Sequence, residues 1–348
     1  MLRAMTTPPK PLLKDFTTFR VGGPCDRLVV AHTDADLIAA VEHADEQSIP
    51  VLILSGGSNV LVADEGFPGT VVVVATSGIE VDKSEGVHLS VRAGESWDGL
   101  VAMTVAHHFS GLELLSGIPG LVGAAPVQNI GAYGGEISSA IQRLRVYDRH
   151  TREVTTMDAS QCGFGYRWSI FKQNLDRYII LSVDFLLEDS DLSRPIIYAE
   201  LARHLGVEMG DRAPSPLVRE KVLELRRGKG MVLDEQDHDT WSAGSFFTNP
   251  IIDPALAATL PEQAPRFPQA DGLVKTSAAW LIDHAGYSRG FTMGRAGLST
   301  KHVLALTNRG DGSAEEIIAL ARVIRQGVWE KYKITLEAEP LLVGLSLR

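Results

Sequence analysis

The feature that most constrains this chain is a glycine-rich, apolar segment between residues 116 and 135. It reads Gly117-Ile-Pro-Gly-Leu-Val-Gly-Ala-Ala-Pro126 and continues as Val127-Gln-Asn-Ile-Gly-Ala-Tyr-Gly-Gly135. Glycine and proline at this density exclude a long helix or a central strand, and purely structural loops of this length are uncommon. Small residues would let a flat aromatic ligand lie against the backbone. The segment therefore predicts a ligand site, with Gln128 and Asn129 as polar handles.

A second glycine motif, Ser55-Gly-Gly-Ser-Asn59, directly follows the apolar run Val51–Leu54. Successive glycines let backbone N–H groups approach an anion such as a pyrophosphate. Taken alone, the motif fits a tight turn between two strands equally well. It lacks the Gly-Lys-Ser/Thr ending of a P-loop and the third glycine of a dinucleotide fingerprint.

The remaining pattern mixes strands and helices irregularly. Alternating or β-branched runs predict strands at 28–31, 51–54, 70–75, 87–92, 144–148, 154–157, 178–187 and 334–339, the last ending at Pro340. Apolar residues at helical spacing predict helices at 34–44, at 95–108, after Pro216 and from Ser313, where Glu316 completes a capping box. Because strands and helices do not alternate as in a Rossmann sheet, we expect an α+β fold.

Length and composition exclude several classes of protein. At 348 residues the chain can form two or three domains, and its net charge of −10 argues against a nucleic-acid partner. Its apolar runs are too short for a membrane span. Cys25 and Cys162 have no metal-ligand spacing, so no metal site is expected. The first 15 residues contain no apolar run typical of a signal peptide, so a cytoplasmic location is expected.

Four further segments complete a specific pattern. They are Thr18-Phe-Arg-Val-Gly-Gly23, Gly165-Tyr-Arg-Trp-Ser-Ile-Phe-Lys172, Ala243-Gly-Ser-Phe-Phe-Thr-Asn-Pro250 and Leu336-Glu-Ala-Glu339. With the two glycine segments, they resemble, in order and over nearly the whole chain, the UDP-N-acetylenolpyruvoylglucosamine reductase (MurB) family. The insertion between residues 188 and 214 resembles the tyrosine-bearing loop of the first subtype of that family.

The resemblance implies a fold and a division into domains. The fold is an FAD-binding fold of the vanillyl-alcohol oxidase / p-cresol methylhydroxylase type in two subdomains, plus a C-terminal α+β substrate-binding domain. We place the subdomains at residues 1–80 and 81–218 and the substrate-binding domain at 219–334. A strand within residues 335–348 is expected to return to the first subdomain.

The resemblance also implies the reaction. It is the NADPH-dependent reduction of the enolpyruvyl group of UDP-N-acetylenolpyruvoylglucosamine to UDP-N-acetylmuramate through FAD, a step of peptidoglycan precursor synthesis. Neither glycine segment contains His or Cys, so we expect non-covalent FAD. The expected partners are NADPH and the sugar nucleotide, and the expected state is a monomer.

Three residues carry the chemistry by this resemblance. Arg167 and Glu339 occupy the positions that polarise the substrate, and Ser245 occupies that of the proton donor. A permanently charged, planar guanidinium suits a carboxylate. Glu339 could help only if protonated or acting through a partner, because a bare carboxylate opposes the developing negative charge.

The other site residues also follow from the resemblance. FAD contacts are expected from Ser55, Gly56, Gly57, Ser58, Asn59, Leu61, Ile118, Pro119, Gly120, Gly123, Ala124, Gln128, Asn129, Gly131, Ala132, Tyr133, Ile180 and Arg226. Substrate contacts are expected from Tyr198, Lys229 and Asn249. For Arg226 and Lys229 the ordinary alternative is a solvated helix C-terminus, where basic residues are favoured.

Two other functions remain open from the residues. Another FAD-dependent oxidoreductase, oxidising an alcohol or a sugar, would share both glycine segments but would have no reason to carry Arg167, Ser245 and Glu339 together. A nucleotide-binding scaffold without catalysis would not need these three residues either. The chain departs from the family pattern at Trp168 and Pro340, beside two of the three.

Overall fold

The structure, a computed structural model, describes residues 10–348. Its strands are β1 (Cys25–Ala31), β2 (Val51–Leu54), β3 (Val60–Val62), β4 (Phe67–Val74), β5 (Ile79–Asp82), β6 (Val87–Arg92), β7 (Phe109–Ser110), β8 (Gly131–Ala132), β9 (Gly135–Glu136), β10 (Ile141–Asp148), β11 (Glu153–Asp158), β12 (Tyr178–Asp189), β13 (Ile251–Ile252), β14 (Arg266–Pro268), β15 (Val274–Thr276), β16 (Thr292–Met293), β17 (Ala296–Leu298), β18 (Leu306–Asn308) and β19 (Leu341–Val343).

The helices are fewer and mostly short. They are α1 (Asp34–Glu46), α2 (Trp97–Ala106), α3 (Ile170–Gln173), α4 (Ala199–Leu205), α5 (Ser215–Gly228), α6 (Pro254–Ala258), α7 (Ala278–His284) and α8 (Ala314–Tyr332). Single 3₁₀ turns occur at Leu13–Phe16, Glu113–Leu115, Val122–Ala124, Ile137–Ser139, Ala159–Gln161 and His238–Thr240.

A parallel sheet of order β1-β4-β2 forms the first part of the fold. Helix α1 packs on it through Leu37 and Val41, and starts at a capping box between Thr33 and Asp36 that satisfies its first N–H groups. The chain leaves the end of β2 directly into the Ser55–Asn59 loop. The Ser55–Asn59 loop thus lies at the carboxyl end of a half-buried edge strand of this parallel sheet.

An antiparallel sheet of order β11-β10-β12-β6-β5 forms the second part, with β7 beside the far end of β12. Helix α2 packs on it through Trp97, Leu100 and Val101, which belong to one buried cluster with residues of β6, β10 and β12. The 117–135 segment crosses this cluster as a 3₁₀ turn and the two-residue hairpin of β8 and β9. It contains no long regular element, as predicted.

The C-terminal part buries α7 and α8 against two small antiparallel sheets, β13-β15-β14 and β16-β17-β18. Phe19, Val21 and Leu61, from the beginning of the chain, lie in the same core. Strand β19 then pairs in parallel with β3. The first and last parts of the chain are therefore joined through both a shared core and a shared sheet.

Most predicted elements are confirmed within one to three residues, including the Ser313–Glu316 capping box of α8. The predicted strand at 334–339 is wrong. This segment makes one isolated bridge, Phe247 to Ala338, and the regular strand begins only after Pro340.

The expected domain boundaries do not coincide with loops. Those expected at 80/81 and 218/219 fall inside β5 and α5, while the division into three domains stays a prediction. Across residues 10–348, no helix combines the length and the apolar character that a membrane crossing requires.

Candidate functional site

A cavity of about 640 Å³ lies between the two glycine loops and the C-terminal part. This volume is within the range of roughly 300–1,000 Å³ that is usual for small-molecule and cofactor sites. Arg167, Ser245 and Glu339 all line it. So do most of the expected FAD contacts, namely Ser55, Gly56, Gly57, Ser58, Asn59, Ile118, Pro119, Gly120, Gly123, Ala124, Gln128, Gly131, Ile180 and Arg226.

The two glycine loops meet backbone to backbone at one side of the cavity. A Cβ atom on Gly56 would lie 2.7 Å from the Cα atom of Gly120, so only glycine allows this approach. The Ser58 hydroxyl donates to the carbonyl of Pro119 at 2.9 Å, and the Asn59 amide donates to Gln128 Oε1 at 2.7 Å. Loops that are far apart in sequence thus form one continuous wall.

Four expected FAD contacts do not line this cavity. Leu61 is completely buried in the core of the C-terminal part. Asn129 is also buried, and its amide donates to Glu136 Oε2 at 2.9 Å and to the Gly165 carbonyl at 3.0 Å. Ala132 and Tyr133 pack toward α4 and α5. The two hydrogen bonds of the Asn129 amide hold the loop in place, and the FAD contacts expected from these four residues stay predictions.

Arg167 enters the cavity from a tight turn between Gly165 and Trp168, closed by backbone hydrogen bonds in both directions. Its φ of 53° is in the left-handed region, which for a non-glycine residue costs on the order of 1–3 kcal/mol. Guanidinium Nη2 donates to the Gly131 carbonyl at 2.9 Å. A Cβ on Gly131 would lie 3.1 Å from Nη1, so the small residue makes room for the guanidinium.

The Arg167 guanidinium contacts the carboxylate of Glu339. Arg167 Nε and Glu339 Oε1 are 3.0 Å apart. The N–H is nevertheless poorly aligned, and this buried Nε has no hydrogen-bond partner. The pair is therefore close without being fully satisfied, which leaves donor capacity for a bound anion.

Burial is the main influence on Glu339. The side chain is 11% exposed, and this desolvation raises the pKa of its carboxyl above the ordinary value, against the opposing effects of Arg167 and Lys172. A raised pKa favours the protonated form. This is the form that can donate a hydrogen bond instead of repelling negative charge.

Ser245 reaches the same wall through backbone pairing of the two segments around it. The Glu339 N–H donates to the Phe246 carbonyl at 2.8 Å, and the Thr248 N–H donates to the Glu337 carbonyl at 3.1 Å. The Thr18 hydroxyl holds the preceding turn by donating to the Ser242 carbonyl at 2.6 Å. Residues 245 and 339 are consequently neighbours, although 94 positions separate them in sequence.

Arg226 is a second cation with unused donor capacity in the cavity wall. Its Nη2 donates to the Met231 carbonyl at 2.9 Å, whereas its buried Nε has no partner. Desolvation lowers the pKa of its guanidinium to about 10. The buried hydroxyl of Ser55 is unpaired as well. These orphaned groups and the glycine wall fit a flat, polar-edged cofactor with a pyrophosphate.

None of the three expected substrate residues is among those that line the cavity, and two of them, Tyr198 and Lys229, form a separate cluster. Tyr198 packs edge-to-face on Tyr133, with ring centroids 5.4 Å apart. Lys229 pairs with Glu200 at 2.5 Å and lies 5.7 Å from the centroid of the Tyr133 ring. Asn249 stands apart from both, because its Oδ1 accepts a hydrogen bond from the first N–H of α7.

Some cavity residues were missed at the sequence level. Lys172 is among them, although it lies in one of the quoted motifs; so are Trp97, Phe171, Leu175, Asp176 and Tyr178. In a single sequence nothing distinguishes Lys172 or Asp176 from a solvated charged residue. The others carry no signal either, since apolar and aromatic residues are usually core.

The cavity also bears on the attachment of a cofactor. Among the described residues that line it there is neither His nor Cys, the two residue types considered for covalent attachment of FAD. Within residues 10–348, no three His, Cys, Asp or Glu side chains are grouped closely enough to hold a metal ion.

Comparison with known proteins identifies relatives for both halves of the chain. The FAD binding domain family matches residues 25–157, and the family described as UDP-N-acetylenolpyruvoylglucosamine reductase, C-terminal domain, matches residues 235–343. The reductase of Streptomyces avermitilis is 51% identical over 346 residues, covering 96% of this chain and 94% of the relative. That of Cutibacterium acnes is 53% identical over 340 residues, covering 96% and 90%.

A solved structure agrees with these sequence matches. The crystal structure of UDP-N-acetylenolpyruvylglucosamine reductase from Thermus caldophilus superposes with a TM-score of 0.67 at 26% identity, covering 96% of this chain and 98% of that one. The expected fold class, an FAD-binding part followed by a C-terminal α+β domain, and FAD as the cofactor are thereby confirmed. This chain belongs to the UDP-N-acetylenolpyruvoylglucosamine reductase family.

Proposed function

We propose that this chain reduces the enolpyruvyl group of UDP-N-acetylenolpyruvoylglucosamine to give UDP-N-acetylmuramate, in the synthesis of peptidoglycan precursors. The observation that carries the proposal is the meeting of Arg167, Ser245 and Glu339 on one wall of the cavity between the glycine loops. FAD, when bound, supplies the hydride, which it takes from NADPH and delivers to C3 of the enolpyruvyl group.

Arg167 is proposed to hold the substrate carboxylate. Hydride addition at C3 places negative charge on C2 and on the attached carboxylate, so a fixed cation at the carboxylate stabilises the developing charge. The guanidinium lines the cavity, and the hydrogen bond from Nη2 to Gly131 fixes its orientation.

Glu339 is proposed to act in its protonated form. Its raised pKa lets the carboxyl donate a hydrogen bond to the same carboxylate, where a charged Glu would oppose the chemistry. Ser245, its neighbour on the wall, is proposed to deliver the proton to C2. Although a hydroxyl is a weak acid, a carbanionic carbon is a strong base, so position matters more than acidity.

FAD is proposed to be held without a covalent bond. Backbone N–H groups of Ser55–Asn59 and of the facing Gly120 would hold the pyrophosphate. The orphaned Arg226 Nε would face the polar edge of the flavin ring.

The outer cluster is proposed to bind the nucleotide diphosphate, with Lys229 as the cation and Tyr198 as the covering aromatic residue. This assignment, like the subtype with a tyrosine-bearing loop, rests on the resemblance and on the position of Tyr198 at the start of α4. Lys229 would exchange Glu200 for a phosphate. Asn249 stays a predicted contact, although its carbonyl oxygen already caps α7. A cytoplasmic location and a monomeric state are part of the same proposal.

An anaerobic spectrum of the purified protein tests the function. We expect a yellow protein that NADPH bleaches and that UDP-N-acetylenolpyruvoylglucosamine then restores to yellow. Acid precipitation should leave the flavin in the supernatant. A colourless protein that binds no FAD would contradict the proposal, and recovery with oxygen but not with the sugar nucleotide would instead indicate an alcohol or sugar oxidase.

A further inference from the structure

Lys172 is the cation of the cavity wall that the proposed mechanism does not use. It lies in α3, and it lines the same cavity as Arg167 and Glu339. Its amine donates a long hydrogen bond, 3.4 Å, to the Arg167 carbonyl. Within residues 10–348 the amine forms no direct ion pair, so it keeps most of its donor capacity.

The backbone of Lys172 is held against the glycine-rich 117–135 segment. The completely buried Ser169 caps α3 by accepting a hydrogen bond from the Lys172 N–H at 3.3 Å. Its own hydroxyl donates to the Val127 carbonyl at 2.5 Å. The half-buried lysine therefore lies at the cavity wall through its packing, whereas a solvated lysine would extend into water.

We propose that Lys172 is a positioning residue that controls the protonation of Glu339. The expected effect of Lys172 on catalysis rests on the proposed function. Its effect on the protonation of Glu339 does not, because both side chains line the cavity whatever the substrate is. Without Lys172, a single misaligned cation would face the carboxyl group.

The charges around the pair are few. Arg167 contacts both groups, because its Nε is 3.0 Å from Glu339 Oε1 and its carbonyl accepts a hydrogen bond from the Lys172 amine at 3.4 Å. The charges of Arg167 and Lys172 both oppose the rise in pKa that burial causes at Glu339, and the charge of Glu339 contributes to the raised pKa of Tyr166. Burial and the charge of Arg167 lower the pKa of the Lys172 amine, while Glu339 opposes this effect. Because the two groups interact, their titrations are coupled.

The sign of the effect follows from charge alone. A nearby cation stabilises the carboxylate, so Lys172 moderates the rise in pKa that burial imposes on Glu339. Its removal should raise the pKa of Glu339 further. If Glu339 works in its protonated form, substrate-driven reoxidation should then persist to a higher pH, which is a consequence that a purely structural lysine would not have.

Infrared titration of the holoenzyme measures this directly through the C=O stretch of a protonated carboxyl group. The band of Glu339 is assigned as the one lost in Glu339→Gln. In Lys172→Met, we expect its titration midpoint to rise by about 1 pH unit, the lower end of the effect of one neighbouring charge. The alkaline limb of substrate-driven flavin reoxidation should move by the same amount. Lys172→Arg should restore both values.

Lys275→Met serves as the matched control, because Lys275 lies 4.5 Å from the centroid of the Tyr166 ring and is not among the described residues that line the cavity. It should leave the midpoint unchanged. Lys172→Gln replaces Lys172→Met if the latter fails to fold or to retain flavin. An unchanged titration midpoint of Glu339 in Lys172→Met, or in Lys172→Gln where that variant replaces it, would overturn the inference, even if the rate of reoxidation falls. A shifted midpoint in an enzyme that the sugar nucleotide cannot reoxidise would instead keep the inference and contradict the proposed function.

Discussion

Two pairs of a basic and an acidic side chain, in different regions of the molecule, are built differently. The inner pair, Arg167 and Glu339, lies in the cavity with side chains 21% and 11% exposed, and its closest atoms are 3.0 Å apart without hydrogen-bond alignment. The outer pair, Lys229 and Glu200, is 33% and 29% exposed and forms a hydrogen bond of 2.5 Å.

The difference indicates that the two ion pairs have different functions. Burial without full hydrogen bonding raises the pKa of Glu339 and leaves a donor of Arg167 free, which suits the stabilisation of charge that appears only during reaction. The outer pair forms a hydrogen bond in the resting protein, so a phosphate bound at Lys229 as proposed would have to displace Glu200. The inner pair should therefore control the rate, and the outer pair should control affinity.

The largest effect is expected from breaking the inner pair. Arg167→Met should slow reoxidation of the flavin by the sugar nucleotide by about 10²–10³-fold, the usual loss for one preorganised charge-stabilising group. Bleaching by NADPH should change only a few-fold. Stopped-flow measurement of the two half-reactions separates these effects. Arg167→Lys, which keeps the charge without the planar fork, should recover part of the rate; equal slowing of both half-reactions would argue against the assigned role.

A smaller effect, on affinity, is expected from breaking the outer pair. Lys229→Met should raise the KM for the sugar nucleotide about tenfold, the value of a hydrogen bond to a charged group, with little change in kcat. Glu200→Gln keeps the shape but releases Lys229, and should lower that KM by roughly two- to fivefold, since a partly exposed ion pair contributes little. Steady-state kinetics tests both variants. A Glu200→Gln enzyme with a higher KM would show that Glu200 orders the site and does not compete with the phosphate.

The smallest effect concerns His302, which lies near the outer pair. Burial first, and then the charges of Lys229, Arg289 and Arg226, lower its pKa to about 4. The unfolded chain, with an ordinary His, binds the proton sooner as pH falls, so His302 should reduce the free energy of unfolding between about pH 6.5 and pH 4. In His302→Gln this part of the pH dependence should flatten, as measured by denaturant unfolding.

Removing the charge of Lys229 tests its effect on the pKa of His302. Lys229→Met should raise the pKa of His302, but by less than roughly 1 unit because burial is the larger cause. Ring-proton NMR titration measures it. A fall in the pKa of His302 would mean that the outer cluster does not act as a group of neighbouring positive charges.

The sequence predicted the elements whose patterns are local. Ser313 with Glu316 marked the start of α8, because this signal resides within a few residues. The close approach of Gly56 to Gly120 was not predicted, because it joins two loops that are far apart in sequence. The prediction of a strand at residues 334–339 was wrong, because strand pairing there depends on residues that are distant in sequence. The β-branched residues of this segment favour a strand, but the partner that decides pairing, Val60–Val62, lies far away in sequence and selects Leu341–Val343 instead.

The candidate site shows the same limit. Residues 167, 245 and 339 were predicted only through the family resemblance, because their proximity arises from long-range pairing around Phe246 and Glu339. Asn129 was expected at the ligand for its polar side chain, yet that amide holds two loops together. Lys172 was overlooked because nothing local distinguishes a cation in a cavity wall from a solvated one.

The cavity wall with Arg167, Ser245 and Glu339 is proposed to catalyse reoxidation of the flavin by the sugar nucleotide, with Ser245 delivering the proton. Anaerobic stopped-flow measurement of Ser245→Ala, reduced with NADPH and then mixed with the sugar nucleotide, tests it most directly. We expect bleaching at nearly the wild-type rate and reoxidation slowed by about 10²–10⁴-fold, the usual contribution of a positioned proton donor. Ser245→Cys, with a hydrogen it can donate, should recover part of that loss. Reoxidation at the wild-type rate in Ser245→Ala would show that Ser245 is not the proton donor.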